Sequence, residues 1–165
     1  MHQKARYYID KLELKKHPEG GYYLEIYRAG EMFFTETIPA KKLNKKNIST
    51  SIYFLLSGRD KSYFHRLKSD EIWHFYDGCD VKLYLIDEKG NLRDVLLGKT
   101  SEQFQLIIPK NTWFAAELTD KSSFALVGCT VAPGFDFNDF ELAKREVLLE
   151  QFPEHKSIIN RFTKD

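Results

Sequence analysis

Between His65 and Gly78 the chain crowds His65, His74, Asp70, Glu71, Trp73 and Phe75 into fourteen residues. A histidine held by a carboxylate is oriented for proton transfer near neutral pH, and general acid or base action needs only such a group within reach of a substrate proton. His65 and Glu71 are the catalytic candidates, read as a hydrogen-bonded pair inside a polar pocket. Tyr53, Trp73, Phe75 and Trp113 can stack on a sugar or another planar ring, although aromatic residues on strands more often fill a core. Arg28 is the candidate for an anionic ligand group, with a surface role as its alternative. Glu25 on the same segment has the opposite parity, so a regular strand turns only one of the two inward. His2, His17 and His155 stand in terminal, loop and helical contexts, where solvent exposure is the expectation.

Two registers are open for the stretch. If Lys68-Ser69 is an ideal two-residue turn, His65, Asp70 and His74 share one face, and Glu71, Trp73 and Phe75 the other. A bulged or longer turn sends His65 and Leu67 inward with Glu71, Trp73 and Phe75, and His74 outward.

The elements that must hold these residues are mostly strands. Apolar residues make up 42% of the chain and aromatics 15%, with 13 Phe and 9 Tyr, which favours rings packed inside a barrel or sandwich. Residues 3–14 read as a short amphipathic helix, ended by His17-Pro-Glu-Gly-Gly21. Strands are predicted at 22–28, 32–38, 49–56, 62–67, 70–77, 80–86, 92–97, 104–108, 113–118 and 123–131, with Lys41–Asn47 as a solvated loop and Asp87–Asn91 as a hairpin turn. After Ala132-Pro-Gly134, Asp136 or Asn138 caps a helix carrying Phe140 to Leu149, and Pro153 separates it from a second helix at 154–162. The chain of 165 residues reads as a single domain, with its barrel at about 21–131 and C-terminal helices at about 137–162.

Lysine plus arginine (25) nearly cancel aspartate plus glutamate (24), so bulk charge argues against a nucleic-acid partner and favours a small-molecule ligand. No run of eighteen apolar residues marks a membrane span, and the start of the chain lacks a signal-peptide pattern. Cys79 and Cys129 lie far apart without metal or redox spacing. A cytoplasmic protein with reduced thiols is the expectation.

His65-x-Leu67-x-x-x-Glu71, followed after six residues by Gly78, resembles the first motif of the cupin superfamily with its second histidine replaced by Leu67. Pro109-Lys-Asn111-Thr-Trp-Phe114 resembles the second motif, with Asn111 for the turn glycine and Phe114 for the metal-binding histidine. The segments His17–Tyr22, Ser49–Leu56, Asp70–Tyr76, Trp113–Ala116 and Val127–Phe137 resemble the fifth cupin subfamily, first catalogued as a domain of unknown function.

The resemblance implies a mainly β, double-stranded β-helix of the RmlC-like jelly-roll type with a short N-terminal helix and C-terminal helices. It also implies a homodimer, with 22–38 as the candidate for exchanged strands. It implies the second register, with His65, Glu71 and Trp73 in the barrel. No cofactor is expected, because the usual ligand set is reduced to His65 and Glu71. A divalent metal would need a recruit such as His74, Glu117 or Tyr53. Metal-free cupins include sugar-nucleotide epimerases in which a barrel histidine removes a proton beside a ketone. Three readings follow: a metal-independent isomerase or epimerase-like enzyme, a non-enzymatic binder of a small ligand, and a metal-dependent oxygenase or isomerase.

Overall fold

A computed structural model describes residues 1–37 and 42–164. Helix α1 (Gln3–Lys11) stops short of residue 14 because Glu13 turns to a left-handed φ of 54° and Leu14 enters the core. Strands β1 (Lys15–Lys16), β2 (Tyr22–Arg28), β3 (Met32–Thr37), β4 (Lys42–Asn47), β5 (Thr50–Ser57) and β6 (Lys61–Leu67) follow. Next come β7 (Asp70–Gly78), β8 (Val81–Ile86), β9 (Leu92–Leu97), β10 (Gln105–Ile108), β11 (Trp113–Leu118) and β12 (Phe124–Ala132). A 3-10 turn at Phe137–Asp139 leads to β13 (Phe140–Leu142), and the chain finishes with α2 (Arg145–Gln151), a second 3-10 turn (Pro153–His155) and α3 (Lys156–Arg161).

Two antiparallel sheets face each other. One runs β1-β2-β5-β12-β7-β10, the other β13-β6-β11-β8-β9, and β3-β4 form a separate ribbon. Between the sheets lie Phe54, Trp73, Leu83, Leu85, Phe114 and Val127, each at most 2% exposed. Each such side chain contributes roughly 1.5–3 kcal/mol by leaving water. The outer face of the smaller sheet is also covered. Phe152, Ile159 and Phe162 of the C-terminal segment pack there on Phe64, Tyr84 and Trp113. Asn111 adopts φ 63° at the turn before β11, a conformation that asparagine tolerates. No helix among the described residues is long and apolar enough to cross a membrane.

Three segments depart from the sequence reading. Lys42–Asn47 is a strand, not a loop, paired with β3 from Met32↔Asn47 to Thr37↔Lys42. Its sequence carries no alternating apolar face, so periodicity offered no strand signal, and the strand is defined by its backbone pairing with β3. Ile38 and Lys41 lie outside the described residues. Asp136 caps only a 3-10 turn, because Phe140–Leu142 instead adds to the open edge of β6 through Phe140↔Leu67 and Leu142↔His65, and helix begins at Arg145. Finally, β6 and β7 do not form a hairpin. Lys68-Ser69 carries the chain from one sheet to the other, so His65 and Glu71 come from opposite walls.

The loop His17–Gly21 closes on itself through His17 N–H to Gly21 O (3.1 Å) and Gly20 N–H to His17 O (3.0 Å). Gly20 has φ 110°, and a Cβ built there would lie 2.0 Å from the Lys61 carbonyl oxygen of β6. Only glycine lets the loop lie so close to that strand. Gly20→Ala is therefore expected to cost about 3 kcal/mol, read as a lower urea midpoint with an unchanged slope.

Candidate functional site

Four local irregularities build one site. The first is the His17–Gly21 loop, which points Glu19 at β6. The second is a register slip in β6: Phe114 pairs with His65 but Ala116 with Ser62, so an extra residue bulges between them. Ser62 and His65, three apart, thereby face the same side, while Phe64 turns to the outer core. Ser62 Oγ donates to Glu19 Oε1 (2.8 Å), and His65 Nε2 lies 3.0 Å from Glu19 Oε2. The third is a slip in β2 between Glu25 and Tyr27, which brings Glu25 and Arg28 to one side. The fourth is a slip on β7, opposite the Leu126/Val127 step, beyond which the inward alternation Glu71, Trp73, Phe75 ends.

The result is a cavity of about 530 Å³. Its buried end holds His17, Glu19, His65, Glu71 and Cys129, and its walls include Phe54, Leu67 and Phe140. Exposed Arg28 and Phe137 mark the mouth. The carboxylate on His65 is thus Glu19 and not Glu71, which corrects the expected pair. Glu71 approaches from the opposite sheet, and its Oε2 is buried without a hydrogen-bond partner.

Protons can be counted here. His65 Nδ1 lies 2.8 Å from the Tyr63 carbonyl, which only accepts, so Nδ1 carries hydrogen. A second proton then lies between Nε2 and Glu19. Burial lowers the proton affinity of His65, and Glu19 offsets part of that. Burial also opposes ionisation of Glu19, yet His65, His17 and Ser62 together hold its carboxyl below the usual range. The two directions compete for one proton. Geometry supports the ionised Glu19, because a neutral His65 with its proton on Tyr63 would turn a bare lone pair onto a carboxylate. Glu71 behaves oppositely: burial first, then the Glu19 charge, push it up to about 8, while Trp73 and Cys129 pull the other way. It is an uncharged carboxylic acid at neutral pH. Burial likewise pushes the Cys129 thiol well up, so it stays protonated.

The other candidates scatter. Arg28 lines the cavity beside Glu25, which parity had excluded, and its guanidinium is bidentate to Glu25 (2.9 and 2.6 Å) with Nη1 on Asn47 Oδ1 and the Phe135 carbonyl. Its charge is already balanced. Trp73 and Phe75 belong to the inter-sheet core and do not line the cavity. Trp113 faces outward beneath the C-terminal segment, where Arg66 lies over its ring. Tyr53 packs near α1 against Tyr76. His74 points away from the cavity, with Nε2 3.2 Å from Thr130 Oγ1, and Glu117 is engaged on the far side by Tyr84, Lys121 and Arg161. Sequence reasoning expected His17 in solvent, whereas the loop buries it against Glu19, and it passed over Glu19 and Ser62. The available signal was two ionisable groups beside a proline and a Gly-Gly pair, a combination that can hold a carboxylate against a strand.

An antiparallel double-stranded β-helix with a histidine and carboxylates at the closed end of its interior cavity is a cupin. The chain matches the family described as Cupin superfamily (DUF985) over residues 6–143, and it belongs to that family. A hypothetical protein from Leishmania major is 31% identical, with a TM-score of 0.86 over 98% of this chain and 99% of that one. A protein from Shewanella oneidensis is 37% identical, with a TM-score of 0.84 over 97% of each. Oxalate decarboxylase from Bacillus subtilis, at 16% identity and a TM-score of 0.57, shares the fold over 89% of this chain and 36% of its own. No curated protein matches the sequence.

The decarboxylase has Mn(II) centres, and the question for the present donor set is whether it can hold a metal. It does not fit one. Both ring nitrogens of His65 are engaged, the Phe114 ring lies 4.0 Å from its centroid, and among the described residues no three His, Cys, Asp or Glu side chains converge as ligands.

Proposed function

We propose that the cavity binds a small polar carbonyl compound of sugar-like size and that the protein moves a proton on it without a metal, as an isomerase or epimerase does. One observation carries this reading: an ionised Glu19 clamped between imidazoles faces, inside a cavity with apolar walls, an uncharged Glu71 whose Oε2 has no protein partner. A base and an acid with separated proton affinities in one site are the requirements of enolisation. The C–H bond beside the carbonyl breaks and its proton passes to the histidine cluster. Its electron pair forms a C–C double bond while the carbonyl oxygen takes the Glu71 proton. Return of the proton to the former carbonyl carbon, while the hydroxyl on the adjacent carbon gives its proton back to Glu71 and becomes the new carbonyl, gives the isomer. Return to the opposite face of the original carbon, while the enol hydroxyl reprotonates Glu71, gives the epimer, with no oxidant or reductant in either case.

The test is incubation of chelator-treated protein with a panel of ketoses and aldoses in deuterium oxide, followed by proton NMR. Loss of the signal beside the carbonyl is expected, together with metal content well below one equivalent. Exchange that appears only after a divalent metal is restored would overturn the reading.

We also propose a homodimer. Among the described residues the β3-β4 ribbon has no partner sheet, and exposed Met32 and Phe34 on it and Ile48 beside it make a surface suited to pairing with a second copy. The unpaired thiols of Cys79 and Cys129 support placement in a reducing compartment.

A further inference from the structure

We infer that His17, not His65, presents the reactive ring nitrogen to the occupant of the cavity, and that Glu19 sets its tautomer. This rests on the cavity being the ligand site and not on the reaction proposed for it. His65 has no nitrogen to offer, since Nδ1 is on Tyr63 O and Nε2 on Glu19. His17 differs. Its side chain is 6% exposed and lines the cavity, its Nδ1 lies against Glu19, and its Nε2, on the opposite side of the ring, has no partner among the described residues and is not sealed from solvent. The rings of Tyr23 (edge-on, 4.5 Å) and Phe140 (5.8 Å) hold the imidazole in place.

The contacts at Nδ1 make the ring a proton carrier. Nδ1 is 3.3 Å from the Glu19 backbone N–H, which donates, and 3.3 Å from Glu19 Oε2, which accepts. With hydrogen on Nδ1, the carboxylate takes that bond and Nε2 shows the cavity a lone pair, ready to receive a proton. With Nδ1 bare, the backbone N–H takes its place and Nε2–H is a donor. Residue 19 therefore supports both tautomers, and His65, by holding charge on Glu19, favours the first.

Glutamine at position 19 separates the two. Its amide nitrogen, standing where Oε2 stands, donates to His65 Nε2 and His17 Nδ1 together, which fixes His17 as the Nε2–H tautomer.

The test uses the whole protein and diethyl pyrocarbonate, which acylates an accessible imidazole nitrogen bearing a lone pair. Peptide mass spectrometry at neutral pH should show His17 modified at least ~10-fold faster than His65, and Glu19→Gln should slow the His17 reaction without changing that of half-buried, remote His2. Imidazole nitrogen-15 spectra provide the second readout. His17 should change to the Nε2–H form in Glu19→Gln, while His65 keeps hydrogen on Nδ1 in both proteins. Faster modification of His65, or a His17 tautomer indifferent to residue 19, would overturn the inference. Selective His17 labelling with no deuterium exchange on any sugar would instead count against the isomerase reading alone.

Discussion

Glu71→Gln should make the protein more stable than the wild type in mildly alkaline solution and leave it little changed in acid. In the unfolded chain Glu71 ionises near its ordinary value of 4.5, whereas in the fold burial and the Glu19 charge hold its proton up to about 8. Below 4.5 both states carry the proton and nothing is lost. Between those values the folded state binds one more proton than the unfolded state, so stability falls as pH rises, and above about 8 the loss is complete. Each pH unit in that window is worth about 1.4 kcal/mol, which sets an upper limit of roughly 5 kcal/mol. Glutamine keeps the shape and a donor but cannot ionise. Urea denaturation of both proteins from acid to alkaline pH should show the difference opening through this window. Parallel curves would mean that Glu71 is already ionised at neutral pH, and the acid role assigned to it would fail.

Glu19→Ala should be the most damaging single change at the site, costing about 3–5 kcal/mol. It leaves the second proton of His65 without an acceptor, strands the Ser62 hydroxyl and opens space beneath His17. Glu19→Gln should retain most of the stability, since one amide can serve Ser62 and both rings, yet it should abolish deuterium exchange on any substrate. Chemical denaturation beside exchange assays checks both. Equal destabilisation by the two variants would show that an amide cannot replace the carboxylate between Ser62 and the two rings.

The strands and the enclosing helices were legible in two- and 3.6-residue periodicity, whereas the inward direction of His65, Glu71 and Trp73 came from the cupin spacing, because alternation alone left two registers open. Among the site candidates the sequence misled where a bulge or a covered outer face intervened. One extra residue at Ile26 brings Glu25 and Arg28 to the same side, and one in β6 lets Ser62 and His65 grip a single carboxylate. Trp113 looked like a ligand contact because β11 is buried on both faces, so apolar content could not say which face met the cavity. Glu19 was hidden for a different reason. Apart from His17, its partners lie 43 and more residues away, and no local pattern records a contact that only the closed barrel creates.

The order in which the chain is made gives the β6 edge a further consequence. That strand, which holds both Ser62 and His65, takes its outer backbone partners from Phe140–Leu142 and from Phe162, whose carbonyl accepts from Phe64 N–H at 2.8 Å, and Lys164 Nζ reaches the Pro18 carbonyl 146 positions back. While residues 140–164 are still inside the ribosome, the strand has an unpaired edge and the loop bearing His17 and Glu19 lacks part of its support. Cavity completion is thus a late event of synthesis, and a nascent chain arrested before residue 140 should expose β6 to chaperones while the larger sheet is already assembled.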